Sequence, residues 1–130
     1  MPMAKKKVIR SEAAPAPVAS YSQAIKAGKL LFCSGQIPID PRTGSLVSGG
    51  IEEQTRRVLE NLGAVLEAAG ASYRDVLKCT VFLADLADFD VMNGVYSTYF
   101  VEAPPARSTV QVAALPRGAR VEIEAIALLS

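Results

Sequence analysis

The sequence predicts an α+β fold in one domain, residues 1–130: a mixed sheet of five to six strands with two helices on one face. Three observations carry that expectation. Short apolar runs bounded by Gly, Pro, Asp and Ser recur along the chain, as strands require. Two longer segments repeat apolar residues every three or four positions, as helices do. At 130 residues the chain can bury one hydrophobic core but not two.

The chain opens with Lys5, Lys6 and Lys7, followed by a stretch holding Pro15 and Pro17. About 1–13 is expected to be a flexible tail, with room for a short extra strand near Val8. It has no continuous apolar run, so it reads as neither a secretory signal nor a membrane span, although a targeting tail in some host is compatible with it. Ser22–Ala27 and Leu30–Cys33, separated by Gly28-Lys29, form a hairpin pattern. A loop rich in Pro, Gly, Asp and Ser runs from Gln36 to Gly50, with Asp40-Pro41-Arg42-Thr43-Gly44 as a tight turn.

Ile51, Val58, Leu62, Val65, Leu66 and Ala69 then define one face of an amphipathic helix of about five turns. Glu52 and Glu53 suit its first turn and Gly70 stops it. Val76 to Ala84 is short and β-branched, a buried strand. Asp88 is placed to N-cap a second helix carrying Phe89, Met92, Val95, Tyr96, Tyr99 and Phe100, which Pro104-Pro105 ends. Arg107–Ala113 and Arg120–Leu129 are the closing strands.

Two helices on one face leave the other bare, yet the strands look apolar on both. Leu77, Cys79, Val81 and Leu83 alternate with Val76, Phe82 and Ala84, while Val121, Ile123 and Ala125 give way to Ile126 and Leu128. Packing of sheet against sheet in a homo-oligomer is the simplest cover, and a ligand site between subunits follows naturally.

Bulk charge narrows the function. Fourteen basic and thirteen acidic residues leave a net charge of +1, so no global field points to nucleic acid or an anionic membrane. Histidine is absent, which excludes Ser-His-Asp and Cys-His catalysis and His-containing zinc sites. Cys33 and Cys79 sit among apolar neighbours and read as buried free thiols, a disulfide between them being compatible with the sequence but unneeded in a reducing compartment; two isolated cysteines make no zinc site.

Several residues could carry chemistry. Arg107 begins an apolar strand directly after Pro104-Pro105, a rigid place to hold a guanidinium whose paired donors match a carboxylate; the plainer reading is a surface ion pair. Glu122 and Glu124 share one face of an aliphatic strand. They either face solvent or pair with Arg57, Arg117 or Arg120, or one of them activates a water. Tyr21 could donate to a ligand or cover a core edge. Ser34-Gly35-Gln36 fits a turn or a set of exposed backbone donors. Asn93 lies among the aromatics of the second helix, able to cap a loop or reach a pocket.

Taken together, these segments resemble the RidA/YjgF family, from about Ala14 to Ala127. The run from Pro105 to Ala125, including Ala106-Arg107-Ser108-Thr109-Val110 and Arg120-Val121-Glu122-Ile123-Glu124, is similar to its signature nearly letter for letter. Cys33-Ser34-Gly35-Gln36-Ile37-Pro38, Glu67-Ala68-Ala69-Gly70, Lys78 to Leu83 and Asn93 to Phe100 match as well. The resemblance implies a chorismate-mutase-like subunit in a cytoplasmic homotrimer with three intersubunit clefts. It also implies a cofactor-free, metal-free hydrolase, a 2-iminobutanoate/2-iminopropanoate deaminase. Such an enzyme turns reactive imine and enamine intermediates into 2-oxo acids and ammonia and so protects pyridoxal-phosphate enzymes.

On that pattern Arg107 is the carboxylate clamp and Glu122 orients or deprotonates the attacking water. Tyr21, Ser34, Gly35 and Asn93 line the pocket, and the backbone around Thr109 contacts substrate. Many members carry cysteine where this chain has Thr109, so a thiol nucleophile at that position is excluded here. A non-catalytic trimer that senses or buffers small carboxylates, or acts as a chaperone, is the competing reading. A ribonuclease reading lacks the basic groove and His pair it would need.

Overall fold

Two β-strand-to-helix-to-strand crossovers organise the chain, which the computed structural model describes over residues 5–130. The strands are β1 (Lys7–Ile9), β2 (Ala24–Ala27), β3 (Leu30–Gln36), β4 (Ile39–Asp40), β5 (Ser45–Leu46), β6 (Val76–Leu83), β7 (Ala106–Gln111) and β8 (Val121–Leu128), with helices α1 (Ile51–Ala68) and α2 (Phe89–Tyr99). Six of them form one mixed sheet in the order β1-β2-β3-β8-β6-β7. Every pairing in it is antiparallel except β6 with β7. Both β3 and β6 run antiparallel to β8, so they are parallel to each other. The crossovers β3-α1-β6 and β6-α2-β7 therefore step in the same direction along the sheet, and right-handed connections then place both helices on the same face.

The core lies between that face and the helices. Val58, Leu59, Leu62, Val65 and Leu66 of α1 meet Leu31, Cys79, Val81, Leu83, Val121, Ile123 and Ala127. The N–H of Gly50 donates to Glu53 Oε1 at 2.8 Å to open α1, and Gly70 at φ 79° supports its end. Gly28 at φ 61° turns the β2–β3 hairpin, the glycine-first pattern of a two-residue turn.

The structure departs from the sequence reading in four places. Lys7–Ile9 forms the short strand for which the sequence leaves room near Val8, so part of the stretch expected to fray is ordered; pairing with β2, the buried Ile9 and the Gln23 amide, which accepts from Ser11 N at 2.6 Å, hold it there. The first four residues of that expected tail lie outside the described residues. The Gln36–Gly50 loop contains the small β4–β5 hairpin around the expected Asp40–Gly44 turn. On β6 the face assignment changes: Val76 is buried and Leu77 is 44% exposed, because a register shift between Val76 and Lys78 rotates the strand start. At α2, Asp88 is the N-cap position without capping through its side chain, which binds Arg120; Asp85 Oδ1 accepts from Ala87 N instead.

The second sheet face has no cover among the described residues. Val8, Leu30, Phe32, Val110 and Leu128 stand on it, each between 38% and 58% exposed. That is a contiguous apolar surface of the kind monomers rarely present to water.

Candidate functional site

Six of the residues singled out in the sequence fall into two hollows on opposite faces of the sheet, while Thr109 lines neither and Glu124 borders a separate hollow with Phe32 and Lys78. The first lies on the helix side. Arg107 stands opposite Cys79 across the parallel β6–β7 pair, so its side chain shares the face that α2 covers. There its Nη1 donates to Asn93 Oδ1 at 2.8 Å. Its guanidinium carbon lies 4.7 Å from the centre of the Tyr96 ring and 5.4 Å from that of Phe89. Asn93, Tyr96, Ser97, Phe100, Pro104, Pro105 and Arg107 enclose about 350 Å³. The double proline is thus a wall of the hollow as well as the lead-in to β7. Among the described residues no carboxylate pairs with Arg107, so the surface ion pair of the plainer reading is not formed.

The second hollow, about 430 Å³, is bounded by Val18, Ala19, Tyr21, Ser34, Gly35, Ile37, Pro116 and Glu122. Glu122 stands on the open sheet face, opposite Phe82 of β6. β3 bulges between Cys33 and Gln36, which takes Ser34 and Gly35 out of register with β8 and lays Gly35 directly against the Glu122 carboxylate. A Cβ at Gly35 would fall 2.9 Å from Glu122 Cδ, closer than real side chains pack. Ser34 is anchored by its hydroxyl, which donates to Ser22 O at 2.6 Å.

Electrostatics suit Glu122 to proton work. Burial, with a smaller contribution from the Glu124 charge, raises its affinity for a proton. The three arginines that could have neutralised it are engaged elsewhere: Arg57 with Asn61, Arg117 with Gly44 O and Arg120 with Asp88. The two cysteines are buried and free. Burial pushes the Cys33 thiol up to about 12 and raises Cys79 too, so both stay protonated at neutral pH. Among the described residues no three His, Cys, Asp or Glu side chains cluster to hold a metal ion, and no helix is long and apolar enough to cross a membrane.

Residues 11–129 match the family model described as Endoribonuclease L-PSP. The chain belongs to the L-PSP family. Within it, a RutC family protein of Pyrococcus horikoshii is 59% identical, over 94% of this chain and 97% of the relative. The 2-iminobutanoate/2-iminopropanoate deaminase of Mus musculus is 50% identical, over 95% of this chain and 91% of the relative. The crystal structure of E. coli TdcF with bound serine superposes with a TM-score of 0.91 at 44% identity, covering 95% of this chain and 99% of that one. Reactive Intermediate Deaminase A of Arabidopsis thaliana and the E. coli YjgF structure also match, which ties the L-PSP model to the RidA/YjgF resemblance and to its two-helix, six-stranded fold.

In this L-PSP chain the expected site residues do not converge within one subunit. Arg107 and Asn93 share the helix-side hollow; Tyr21, Ser34, Gly35 and Glu122 share the other, and the two have no lining residue in common. Thr109 follows Arg107 on the same strand face, and its Oγ1 is buried without a hydrogen-bond partner among the described residues. Phe89 and Tyr96, expected on the apolar side of the second helix, pack on the core and also stack beside the guanidinium. Their spacing from Asn93, at positions 89, 93 and 96, puts all three on one helical face, a signal hidden because aromatic residues at that spacing ordinarily mean packing.

Proposed function

We propose that this L-PSP protein is a cofactor-independent hydrolase that converts 2-imino acids, such as 2-iminopropanoate and 2-iminobutanoate, to 2-oxo acids and ammonia. In the cytoplasm it would clear these intermediates before they damage pyridoxal-phosphate enzymes. The observation that carries this reading is the placement of an arginine with no carboxylate partner and a half-buried glutamate in separate hollows on opposite sheet faces, one of them apolar and uncovered among the described residues. A homotrimer in which the open face of one copy packs against the β7 edge of the next would bring the Arg107 hollow of one against the Glu122 hollow of the other. Each of three clefts would then hold both groups.

In such a cleft Arg107 grips the substrate carboxylate through the guanidinium edge that Asn93 leaves free. The neighbouring imine carbon is already electrophilic, so the protein needs to supply orientation and a polarised water. Glu122 accepts a proton as the water oxygen bonds to that carbon and passes it on to the imine nitrogen. The resulting amino alcohol collapses to the 2-oxo acid as the C–N bond breaks and ammonia leaves. Tyr21, Ser34 and Gly35 shape the water side, and the backbone near Thr109 meets the substrate.

Direct measurement of ammonia and 2-oxo acid from 2-iminopropanoate, generated in place by a serine dehydratase, tests the reading. Faster release than in the dehydratase-only control supports it, and an identical rate with excess protein refutes it. A second reading, a small-carboxylate binder without turnover, is favoured by the serine bound in the TdcF structure. That protein would show ligand binding together with the unaccelerated rate. The endoribonuclease in the family description finds little support in a chain with no histidine and a net charge of +1.

A further inference from the structure

We infer that Tyr96 is the positioning residue of the Arg107 clamp: its ring face, rather than its hydroxyl, fixes the guanidinium in the pose that presents a free edge to a carboxylate. The inference rests on the proposed role of Arg107 as carboxylate binder.

An arginine side chain has many rotamers, and a two-pronged grip on a carboxylate works only when the planar group is held in one of them. Three neighbours restrict Arg107. Asn93 Oδ1 takes one N–H at 2.8 Å and thereby fixes one corner of the fork. A single hydrogen bond leaves rotation about that corner free. The Tyr96 ring, 4.7 Å from the guanidinium carbon, and the Phe89 ring at 5.4 Å remove that freedom, since a cation is drawn to the electron-rich face of an aromatic ring. Tyr96 is the nearer of the two and the better fixed. It is 4% exposed, and it stacks on Phe100 with ring centres 4.6 Å apart. The plane that orients the arginine is thus set by the core.

The hydroxyl has no comparable task. It is buried with the Cys79 thiol and the Arg107 guanidinium as its polar neighbours, and it forms no well-aligned hydrogen bond with either. Removing it deletes a polar group that costs desolvation and returns nothing within the subunit. The ring and the hydroxyl can therefore be separated by substitution.

The test measures the affinity of the intact protein for pyruvate, by NMR titration, with pyruvamide as the uncharged control. Tyr96→Phe keeps the ring and should bind pyruvate within about twofold of the parent, whereas Tyr96→Met, of similar bulk but without a ring, should weaken pyruvate binding on the order of tenfold. Pyruvamide affinity should not differ between them. Equal pyruvate affinity in Tyr96→Met and the parent overturns the inference, as does an equal loss for pyruvate and pyruvamide.

Should Tyr96→Met fail to fold, 3,4,5-trifluorophenylalanine is placed at position 96 and compared with Tyr96→Phe. The shape is nearly conserved while the charge of the ring face is withdrawn. Several-fold weaker pyruvate binding is expected, and identical binding overturns the inference. Because binding is read apart from ammonia release, a parent that binds pyruvate but hydrolyses no imine would sink the proposed function and leave the Tyr96 result standing.

Discussion

Replacing Gly35 with alanine tests the proposed role of Glu122 by moving it rather than removing it. The new Cβ would lie 2.9 Å from Glu122 Cδ and 3.0 Å from Cγ, and nearer still to Oε2. Carbon atoms in contact prefer about 3.5–4.0 Å, so the carboxylate must retreat by roughly an ångström. The backbone offers no obstacle, since Gly35 lies outside the left-handed region. Displacing Glu122 into a poorer rotamer costs about 0.5–1.5 kcal/mol, and the reduced freedom of the unfolded chain returns about 0.4–1 kcal/mol. The net stability change is therefore within about 1 kcal/mol. A displacement of that size in a catalytic group can nevertheless cost on the order of a hundredfold in rate. Gly35→Ala should thus retain its urea midpoint to within a small shift, while turnover on 2-iminopropanoate falls by about two orders of magnitude. Turnover within threefold of the parent, in a folded and assembled protein, would refute the placement of Glu122 at the reacting carbon.

Arg107→Lys loses the Asn93 contact and the paired donors together; kcat/KM should fall on the order of a hundredfold, corresponding to about 2–3 kcal/mol of charged hydrogen bonding, with an unchanged elution volume on gel filtration. For Glu122→Gln, substrate binding should survive while turnover collapses. The same variant makes a pH prediction. Glu122 holds its proton to higher pH in the folded than in the unfolded protein, so its contribution to stability is lost as pH rises through the carboxylate range. Glu122→Gln should therefore melt at a higher temperature than the parent above that range and show no such gain below it, as read by calorimetry at several pH values. Equal mixtures of Arg107→Lys and Glu122→Gln chains, unfolded and reassembled together, should regain about a quarter of parental activity if each site draws on two copies of a symmetric ring, and none if it lies within one. Asn61→Ala removes a fully buried amide that accepts from Arg57 Nε and donates to Ile37 O and Ile39 O; a loss of about 2–3 kcal/mol should appear as a lower urea midpoint with an unchanged slope.

The sequence made the architecture readable because periodicity reports which side of an element is buried. Helix α1 ends two positions before Gly70, α2 stops at Tyr99 ahead of Pro104-Pro105, and the expected hairpin turns at Gly28. Features that depend on a partner strand stayed hidden. The register shift that buries Val76 and exposes Leu77 leaves no mark on composition, nor does the β3 bulge that seats Gly35 on Glu122. Ile39–Asp40 and Ser45–Leu46 are too short to carry a period. Asp88 was legible as a helix start, but Arg120, thirty-two positions away, claims its carboxylate. The site residues were legible singly and by resemblance. What sequence order could not show is that β7 turns Arg107 toward the helices while β8 turns Glu122 the other way, since the outcome depends on strand pairing and not on spacing.

The uncovered sheet face has a consequence for how such a protein would fail. In the proposed assembly the surface carrying Leu30, Phe32, Val110 and Leu128 would both join the copies and hold the two hollows in register. Dilution, or a substitution that loosens the contact, would separate Arg107 from Glu122 and wet the apolar patch in a single event. Loss of chemistry and gain of stickiness would then be coupled, so a chain inactivated by disassembly would also be an aggregation-prone one. The bare face is thus the molecule's point of greatest dependence on its own concentration.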